Sequence, residues 1–268
     1  MKLTVLIDNN TYIDQYLLGE PALSFHVEIG QHKILFDTGY SQAFLYNANK
    51  LGINLSQLTH LVFSHGHNDH TRGLKYLSSK INLKNIDTIA HPDCFLPKKE
   101  GTIQIGAPFS IEEMQKITNL IPTQNLYNIS ENCVFLGEIP RKFSFEGKTS
   151  IGEQFKSGNW EKDFILDDSA LVYKNDDGIF IITGCSHSGI CNIIEYAIEV
   201  TGNKNILGII GGFHLFQVDE QVEQTIEYLK RQNINTLYPC HCTSLTVKSQ
   251  LIENFNTIEV GSGLELNL

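Results

Sequence analysis

Short apolar runs alternate with amphipathic stretches along most of the 268-residue chain. An apolar run bounded by turn residues is typical of a buried strand, whereas apolar residues three and four apart predict a helix. The predicted strands span 3–7, 23–29, 33–36, 61–63, 86–90, 133–136, 170–173, 178–183, 206–210, 235–238 and 258–266. The predicted helices cover 41–51, 71–79, 111–117, 190–198, 222–229 and 247–255.

Strands alternate with helices in both the front and the back of the chain, which predicts a layered α/β architecture. No linker divides the sequence, so we expect one domain over residues 1–268. The segment 144–162 is rich in Gly, Ser, Glu and Lys, and is either a surface loop or a mobile lid over the site. The stretches 34–39 and 180–185 look alike and hint at an internal duplication.

Composition limits the classes of partner. The 41% hydrophobic content allows a sizeable core, and a net charge of −10 argues against a nucleic-acid partner. No apolar stretch approaches the roughly 20 residues of a membrane span, and the N-terminal apolar run is too short for a signal peptide. The six cysteines lack disulfide-type spacing. We therefore expect a cytoplasmic protein with free or metal-ligating thiols and a small-molecule substrate.

The densest chemistry follows the apolar run 61–63, where His65, His67, Asp69 and His70 fall within six residues. In extended backbone His65 and His67 point to the same side, because side chains alternate along a strand. Asp69 and His70 lie past a bend and face a neighbouring position. Imidazole and carboxylate are ligands of zinc-like ions. The density predicts two adjacent metal sites, roughly 3.5–4 Å apart in enzymes of that type.

Further candidate ligands stand where other apolar strands end. These strand-end residues are Asp37, Cys185, His187, His214 and His241, together with Cys240 and Cys242, for which we favour packing over metal binding. In layered α/β proteins ligands bind outside the carboxyl ends of strands. We therefore expect these turns to gather at one rim around the metals.

Four segments occur in an order found in a known family: 63–71 (FSHGHNDHT), 183–190 (TGCSHSGI), 211–215 (GGFHL) and 239–243 (PCHCT). With 37–39, 137–141 and 261–263, they resemble the metallo-β-lactamase-fold superfamily. The subgroup is the one often named 7,8-dihydropterin-6-yl-methyl-4-(β-D-ribofuranosyl)aminobenzene 5′-phosphate synthase. The resemblance covers nearly the whole chain. It implies a four-layer αβ/βα sandwich with two facing mixed β-sheets and a metal site at one edge.

The resemblance also implies a role for each candidate ligand. The first metal would be held by His65, His67 and His187, and the second by Asp69, His70 and His241. Asp37 would orient a ligating histidine rather than bind metal. Two positions, Arg72 and Ser244, carry other residues where the subgroup usually has glycine. Arg72 adds a positive charge beside the site.

The bridging group and the catalytic residues follow from the same resemblance. Many relatives place an aspartate that bridges both ions where this chain has Cys185. The bridge is therefore either the Cys185 thiolate or a displaced carboxylate such as Asp168, and in the second case Cys185 is a small buried residue that packs. The catalytic candidates are Asp69, which would orient the nucleophile, His214 on the substrate side, and Asp168.

The implied function is that of a metal-dependent hydrolase or transferase acting on a small phosphorylated or pterin-like substrate. Two divalent ions are expected, with zinc favoured and iron or manganese also compatible; such ions lower the pKa of bound water towards about 7. The subgroup's name implies transfer of a pterin methyl unit with loss of diphosphate. The alternatives are a phosphodiesterase or nuclease on the same fold, and an iron-containing oxygen- or redox-sensing protein, which Cys185 would suit.

Overall fold

The computed structural model describes residues 1–268, and most of the predicted strands and helices are present in it. The strands are β1 (Lys2–Ile7), β2 (Ser24–Ile29), β3 (His32–Phe36), β4 (His60–Val62), β5 (Asp87–Ala90), β6 (Lys98–Glu100), β7 (Ile103–Gln104), β8 (Asn119–Pro122), β9 (Tyr127–Ser130), β10 (Cys133–Phe135), β11 (Glu153–Lys156), β12 (Asn159–Lys162), β13 (Ala170–Asn175), β14 (Gly178–Thr183), β15 (Ile206–Gly212), β16 (Thr236–Cys240), β17 (Asn256–Thr257) and β18 (Glu265–Asn267). The α-helices are α1 (Ala43–Lys50), α2 (Asn68–Thr71), α3 (Leu74–Lys80), α4 (Ile111–Ile117), α5 (Ile190–Thr201), α6 (Glu220–Arg231) and α7 (Leu245–Asn254).

Fourteen of the strands form two seven-stranded sheets with the same succession of pairings. The first sheet has the order β18-β1-β2-β3-β4-β5-β8, and the second, from its opposite edge, β9-β10-β13-β14-β15-β16-β17. In each, three antiparallel pairs are followed by three parallel pairs. Strands β3 and β14, which carry the similar stretches 34–39 and 180–185, occupy equivalent positions. The topology therefore supports the internal duplication.

Alternating side chains of the strands divide among three apolar cores. In β14, Phe180 and Ile182 point into the core between the two sheets. Their neighbours Ile179 and Ile181 face α5, α6 and α7 on the other side. In the first sheet, Leu35 of β3 packs against α1 and α3. Three cores separate four layers, so the predicted αβ/βα sandwich with two facing mixed sheets is confirmed.

A third, four-stranded sheet has the order β12-β11-β6-β7. Two of its strands, β11 and β12, lie in the segment 144–162. The alternative that this whole segment is a surface loop is therefore wrong. The hairpin turns at Ser157 and Gly158, whose φ angles are 52° and 87°. Two left-handed residues suit the twist of a tight hairpin, and the Ser-Gly pair is the signal that the sequence analysis missed.

The predicted strand 258–266 is wrong except for its last two residues, which begin β18. The structure has β17 at the edge of the second sheet and β18 at the edge of the first, with an irregular crossing between them. Gly263 in that crossing has a φ of 98°, and its amide donates to Val5 O at 2.8 Å. Positive φ interrupts the regular pleat, and the chain passes from one sheet to the other in this irregular stretch.

The predicted helix 71–79 begins earlier, at Asn68, and is divided into α2 and α3. The capping box of Ser110 and Glu113 is present at α4. All six cysteines are free thiols. No helix has the length and apolar character needed to cross a bilayer.

Candidate metal centre

The candidate ligands come together at the carboxyl ends of β3, β4, β14, β15 and β16. Four residues that follow these strands have left-handed backbone, with φ of 58° at Asp37, 59° at Ser186, 50° at His214 and 47° at His241. Such conformations in non-glycine residues cost roughly 1–3 kcal/mol each, and persist only where the surroundings hold them. Their gathering at one rim is typical of a functional site.

One group of donors consists of two imidazoles and a thiol, with a third imidazole beside it. His65 Nε2 lies 3.0 Å from His67 Nδ1 and 3.2 Å from His187 Nε2. The Cys185 Sγ and the donor atoms of His65 and His187 all lie within 4.8 Å of one another. His67 lies beside this set but outside it, and the two imidazoles and the thiol are donors that suit a zinc-like cation.

A second group adjoins the first. His70 Nε2 lies 3.2 Å from His241 Nε2 and 3.1 Å from Cys185 Sγ. Asp69 Oδ2 lies 3.3 Å from His241 Nε2. These four donors also lie within 4.8 Å of one another. The Cys185 thiol therefore belongs to both groups, and the donors fit two neighbouring borderline-soft ions.

Contacts outside the groups orient three of the imidazoles through Nδ1, which leaves Nε2 facing the centre. The Nδ1 atoms donate from His70 to Asp37 Oδ2 (2.6 Å), from His241 to Asn9 Oδ1 (3.0 Å) and from His65 to Ser64 Oγ (2.9 Å). The contact of Asp37 with His70 has the orienting geometry expected from the sequence. Such contacts fix the tautomer of a ligating histidine and its ring orientation.

The sequence analysis missed Asn9 and Ser64. Asn9 lies in the loop after β1, and its neighbour Asp8 accepts a hydrogen bond from the His241 amide at 2.8 Å. The loop thus holds both the backbone and the ring of His241. A signal was present, because Asp8 stands at the end of an apolar strand just as the other candidates do.

A buried ion cluster holds the backbone of the His65–His67 loop. The ammonium of Lys98 lies 2.7 Å from Asp163 Oδ2 and 2.9 Å from Asp167 Oδ1, and all three side chains are fully buried. The other oxygen of Asp167 accepts from the Gly66 amide at 2.7 Å. A Cβ at Gly66 would lie 2.2 Å from Cys94 O, so only glycine fits here.

Asp168 lies outside both donor groups. Its Oδ2 accepts from the amide and hydroxyl of Ser188 at 2.9 and 2.5 Å, and its buried Oδ1 has no partner. Burial raises the pKa of Asp168 to about 6, against the lowering effect of these hydrogen bonds. The ring of His214 lies 4.3 Å from that of His187, between centroids.

Electrostatics keep most of these imidazoles ready to bind metal. Burial and the neighbouring imidazoles hold the pKa of His65 and His187 well below the usual range, and burial lowers that of His67 to about 4. His70 differs, because the Asp69 and Asp37 carboxylates outweigh burial and raise its pKa to about 9. Three of the histidines are therefore neutral at pH 7, the form that metals require.

The two groups open into a cleft of about 490 Å³. Tyr40 and Phe216 line it, as do Glu100 and Ile105 from the region of the small sheet. Ile151, from the segment 144–162, also lines the cleft. The position of Ile151 agrees with a covering role for that segment, which stays a prediction.

Three comparisons relate the chain to known proteins. The sequence profile of the metallo-β-lactamase superfamily matches residues 18–110. The chain is 35% identical over 262 residues to the uncharacterized protein MJ0448 of Methanocaldococcus jannaschii, covering 96% of this chain and 97% of that protein. It is 28% identical over 270 residues to the 7,8-dihydropterin-6-methyl-4-(β-D-ribofuranosyl)-aminobenzene-5′-phosphate synthase of the same organism, covering 95% and 92%. The structure is similar to that of Tm1679, a metal-dependent hydrolase of the β-lactamase superfamily, with a TM-score of 0.85, 28% identity and coverage of 100% and 99%.

Proposed function

The chain belongs to the metallo-β-lactamase superfamily, and from that premise we propose that it is a metal-dependent hydrolase or transferase with a dinuclear centre. One observation carries the proposal. The Cys185 thiol lies within 4.8 Å of donors in two separate groups, so one sulfur atom can serve two ions. A thiolate at this position is a reasonable bridge between borderline-soft ions.

The proposed ligands of the first ion are His65, His67 and His187, and those of the second are Asp69, His70 and His241, with Cys185 shared. Imidazole, carboxylate and thiolate together favour zinc. When bound, such a pair supplies Lewis acidity and lowers the pKa of water towards about 7.

We assign the remaining catalytic roles to residues around the centre. The side chain of Asp69 is 29% exposed, whereas those of His70 and His241 are 0% and 5% exposed. Asp69 is therefore the carboxylate that can accept a hydrogen bond from a nucleophile in the cleft. His214 lines the cleft and would contact the substrate. Asp168 would act through Ser188, whose position fixes the turn that carries His187.

The cleft suits a small substrate with a planar group. About 490 Å³ is within the usual size of small-molecule sites, and Tyr40 and Phe216 offer aromatic faces. The pterin-related synthase at 28% identity supports the same substrate class. The net charge of −10 disfavours a long nucleic acid, which places the nuclease alternative second.

Metal analysis tests the centre. Protein purified without added metal should carry two ions per chain, and His67→Ala should lose metal. His32→Ala, at the half-buried start of β3, is the matched control and should keep both ions. Native protein without metal, or undiminished metal in His67→Ala, would refute the assignment. Iron with visible absorption would instead favour the redox-sensing alternative.

Product analysis separates the two reaction classes. The metal-loaded protein is incubated with a dihydropterin methyl diphosphate, with and without a ribosylaminobenzene phosphate. Diphosphate release that requires the second compound indicates a transferase, and release in its absence indicates a hydrolase. No release from this compound, together with turnover of a simple phosphodiester, would contradict the pterin-like substrate.

A further inference from the structure

A third group of metal-type donors adjoins the two already described. The ligand atoms of Cys185, His214 and Cys242 all lie within 4.8 Å of one another. Only Cys185 is shared with the proposed dinuclear centre. All three residues line the cleft, so the group is open to a small molecule.

Local structure positions these donors independently of the dinuclear centre. A Cβ at position 212 would lie 2.4 Å from the Cys242 sulfur, so Gly212 leaves the space that the thiol occupies. His214 has left-handed backbone with a φ of 50°, which turns its ring towards His187. Its Nδ1 is buried and has no hydrogen-bond partner. The imidazole is therefore not committed to the protein through that nitrogen.

We propose that Cys185, His214 and Cys242 form a third metal position, which fills when a thiophilic divalent ion such as Zn²⁺ or Cd²⁺ is present in excess. Two thiolates and one imidazole favour such ions over Mg²⁺ or Mn²⁺, which prefer oxygen ligands. Three protein ligands leave the fourth tetrahedral position for a ligand from the cleft, as in open zinc sites. This position goes beyond the proposed dinuclear function and shares one sulfur with it.

Cadmium alone is the probe for the first test. Protein dialysed against excess Cd²⁺ and freed of unbound ion should contain three ions per chain. Cys242→Ser should lose one ion and part of the sulfur-to-cadmium charge-transfer absorption. Cys240→Ser is the matched control, because the Cys240 side chain is in the core between the sheets, and it should keep three ions. Two ions in the wild type, or an equal number in wild type and Cys242→Ser, would overturn the proposal.

Alkylation of the wild type provides a second test that does not depend on a variant. Protein carrying two ions should react with iodoacetamide at Cys242, and added Cd²⁺ should protect this residue, as mapped by peptide mass spectrometry. Protection before cadmium is added would place Cys242 in the dinuclear centre and overturn the third position. Failure of cadmium to protect it would do the same. Either result leaves the dinuclear centre standing, whereas protein that binds no metal at all contradicts the proposed function itself.

Discussion

The guanidinium of Arg72 lies over the ring of Tyr40, with 4.2 Å between its central carbon and the ring centroid. Tyr40 lines the cleft, so this stacking places a positive charge one side chain away from the substrate. Ser244, the other position where the subgroup usually has glycine, caps α7 through a hydrogen bond from Val247 N to its hydroxyl. Both departures therefore have a local structural role and remove no ligand.

His187 and His214 both follow apolar strands, and their roles can be separated by substitution. His187 Nε2 lies 3.2 Å from His65 Nε2. The His214 ring packs against the His187 ring, with 4.3 Å between centroids. We expect His187→Ala to lose metal sharply, and His214→Ala to keep the two ions of the dinuclear centre while losing activity. Metal analysis beside an activity assay makes the comparison. The opposite pattern would exchange the two roles.

Glu146 gives stability a specific pH dependence. Its carboxylate accepts from the amides of Cys191 (3.2 Å) and Asn192 (2.6 Å) at the start of α5, and burial raises its pKa to about 7. The folded-state pKa lies above the unfolded value of about 4.3. The contribution of Glu146 to the free energy of unfolding is therefore complete below about pH 4.3 and is lost as pH rises through about 7.

We expect wild-type protein to lose about 2–3 kcal/mol more stability than Glu146→Gln between pH 5 and pH 8. Urea denaturation of both proteins at the two pH values measures this difference. Glu131→Gln, at an exposed position, is the control and should follow the wild type. Parallel pH profiles for wild type and Glu146→Gln would contradict the account.

At the scale of elements, the buried cluster of Lys98, Asp163 and Asp167 connects the small sheet to the His65–His67 loop. Lys98→Met would leave two buried carboxylates without a cation, which costs about 3–5 kcal/mol. We expect a corresponding fall in the urea midpoint and weaker metal retention. Lys2→Met is the control, because Lys2 forms an exposed ion pair with Glu265 whose loss should cost no more than about 1 kcal/mol. Equal midpoints for the two variants would show that the cluster does not hold the loop.

The small sheet also links the segment 144–162 to the cleft. The ammonium of Lys99 lies 4.1 Å from the centroid of the Trp160 ring, and the next residue, Glu100, lines the cleft. Because Trp160 is the only tryptophan, its fluorescence should change when inorganic phosphate or substrate binds. Trp160→Phe should abolish the signal. Unchanged emission at a phosphate concentration that inhibits activity would exclude a covering role.

Elements with clear periodicity could be predicted from the sequence, and short edge strands could not. The buried strands and α5 to α7 were found because their apolar spacing is regular over several turns or residues. Strands such as β7 and β17 have only two residues each, so they have no period to detect. β7 pairs with the preceding strand β6, and β17 pairs with β16 across α7, so each exists only through its partner strand.

For the molecule as a whole, the strand-end rule located the rim and most of its metal-type donors. The rule could not identify residues that support the metal site without standing at the end of an apolar strand. Lys98 lies about 30 residues after the histidine cluster, and Asp163 and Asp167 are more distant still. Only the folded sheets bring these residues together. The sequence left both Cys185 and Asp168 open as the bridging group. In the structure only the Cys185 sulfur lies within both donor groups, and the bridge itself stays a prediction.

The central claim is that two ions share the Cys185 sulfur. X-ray absorption at the metal edge of protein carrying two ions per chain tests it most directly. We expect a sulfur scatterer at about 2.3 Å and a second metal at roughly 3.5–4 Å, with the sulfur contribution lost in Cys185→Ser. A spectrum with nitrogen and oxygen neighbours only, and no second metal, would contradict the shared thiolate and the dinuclear centre together.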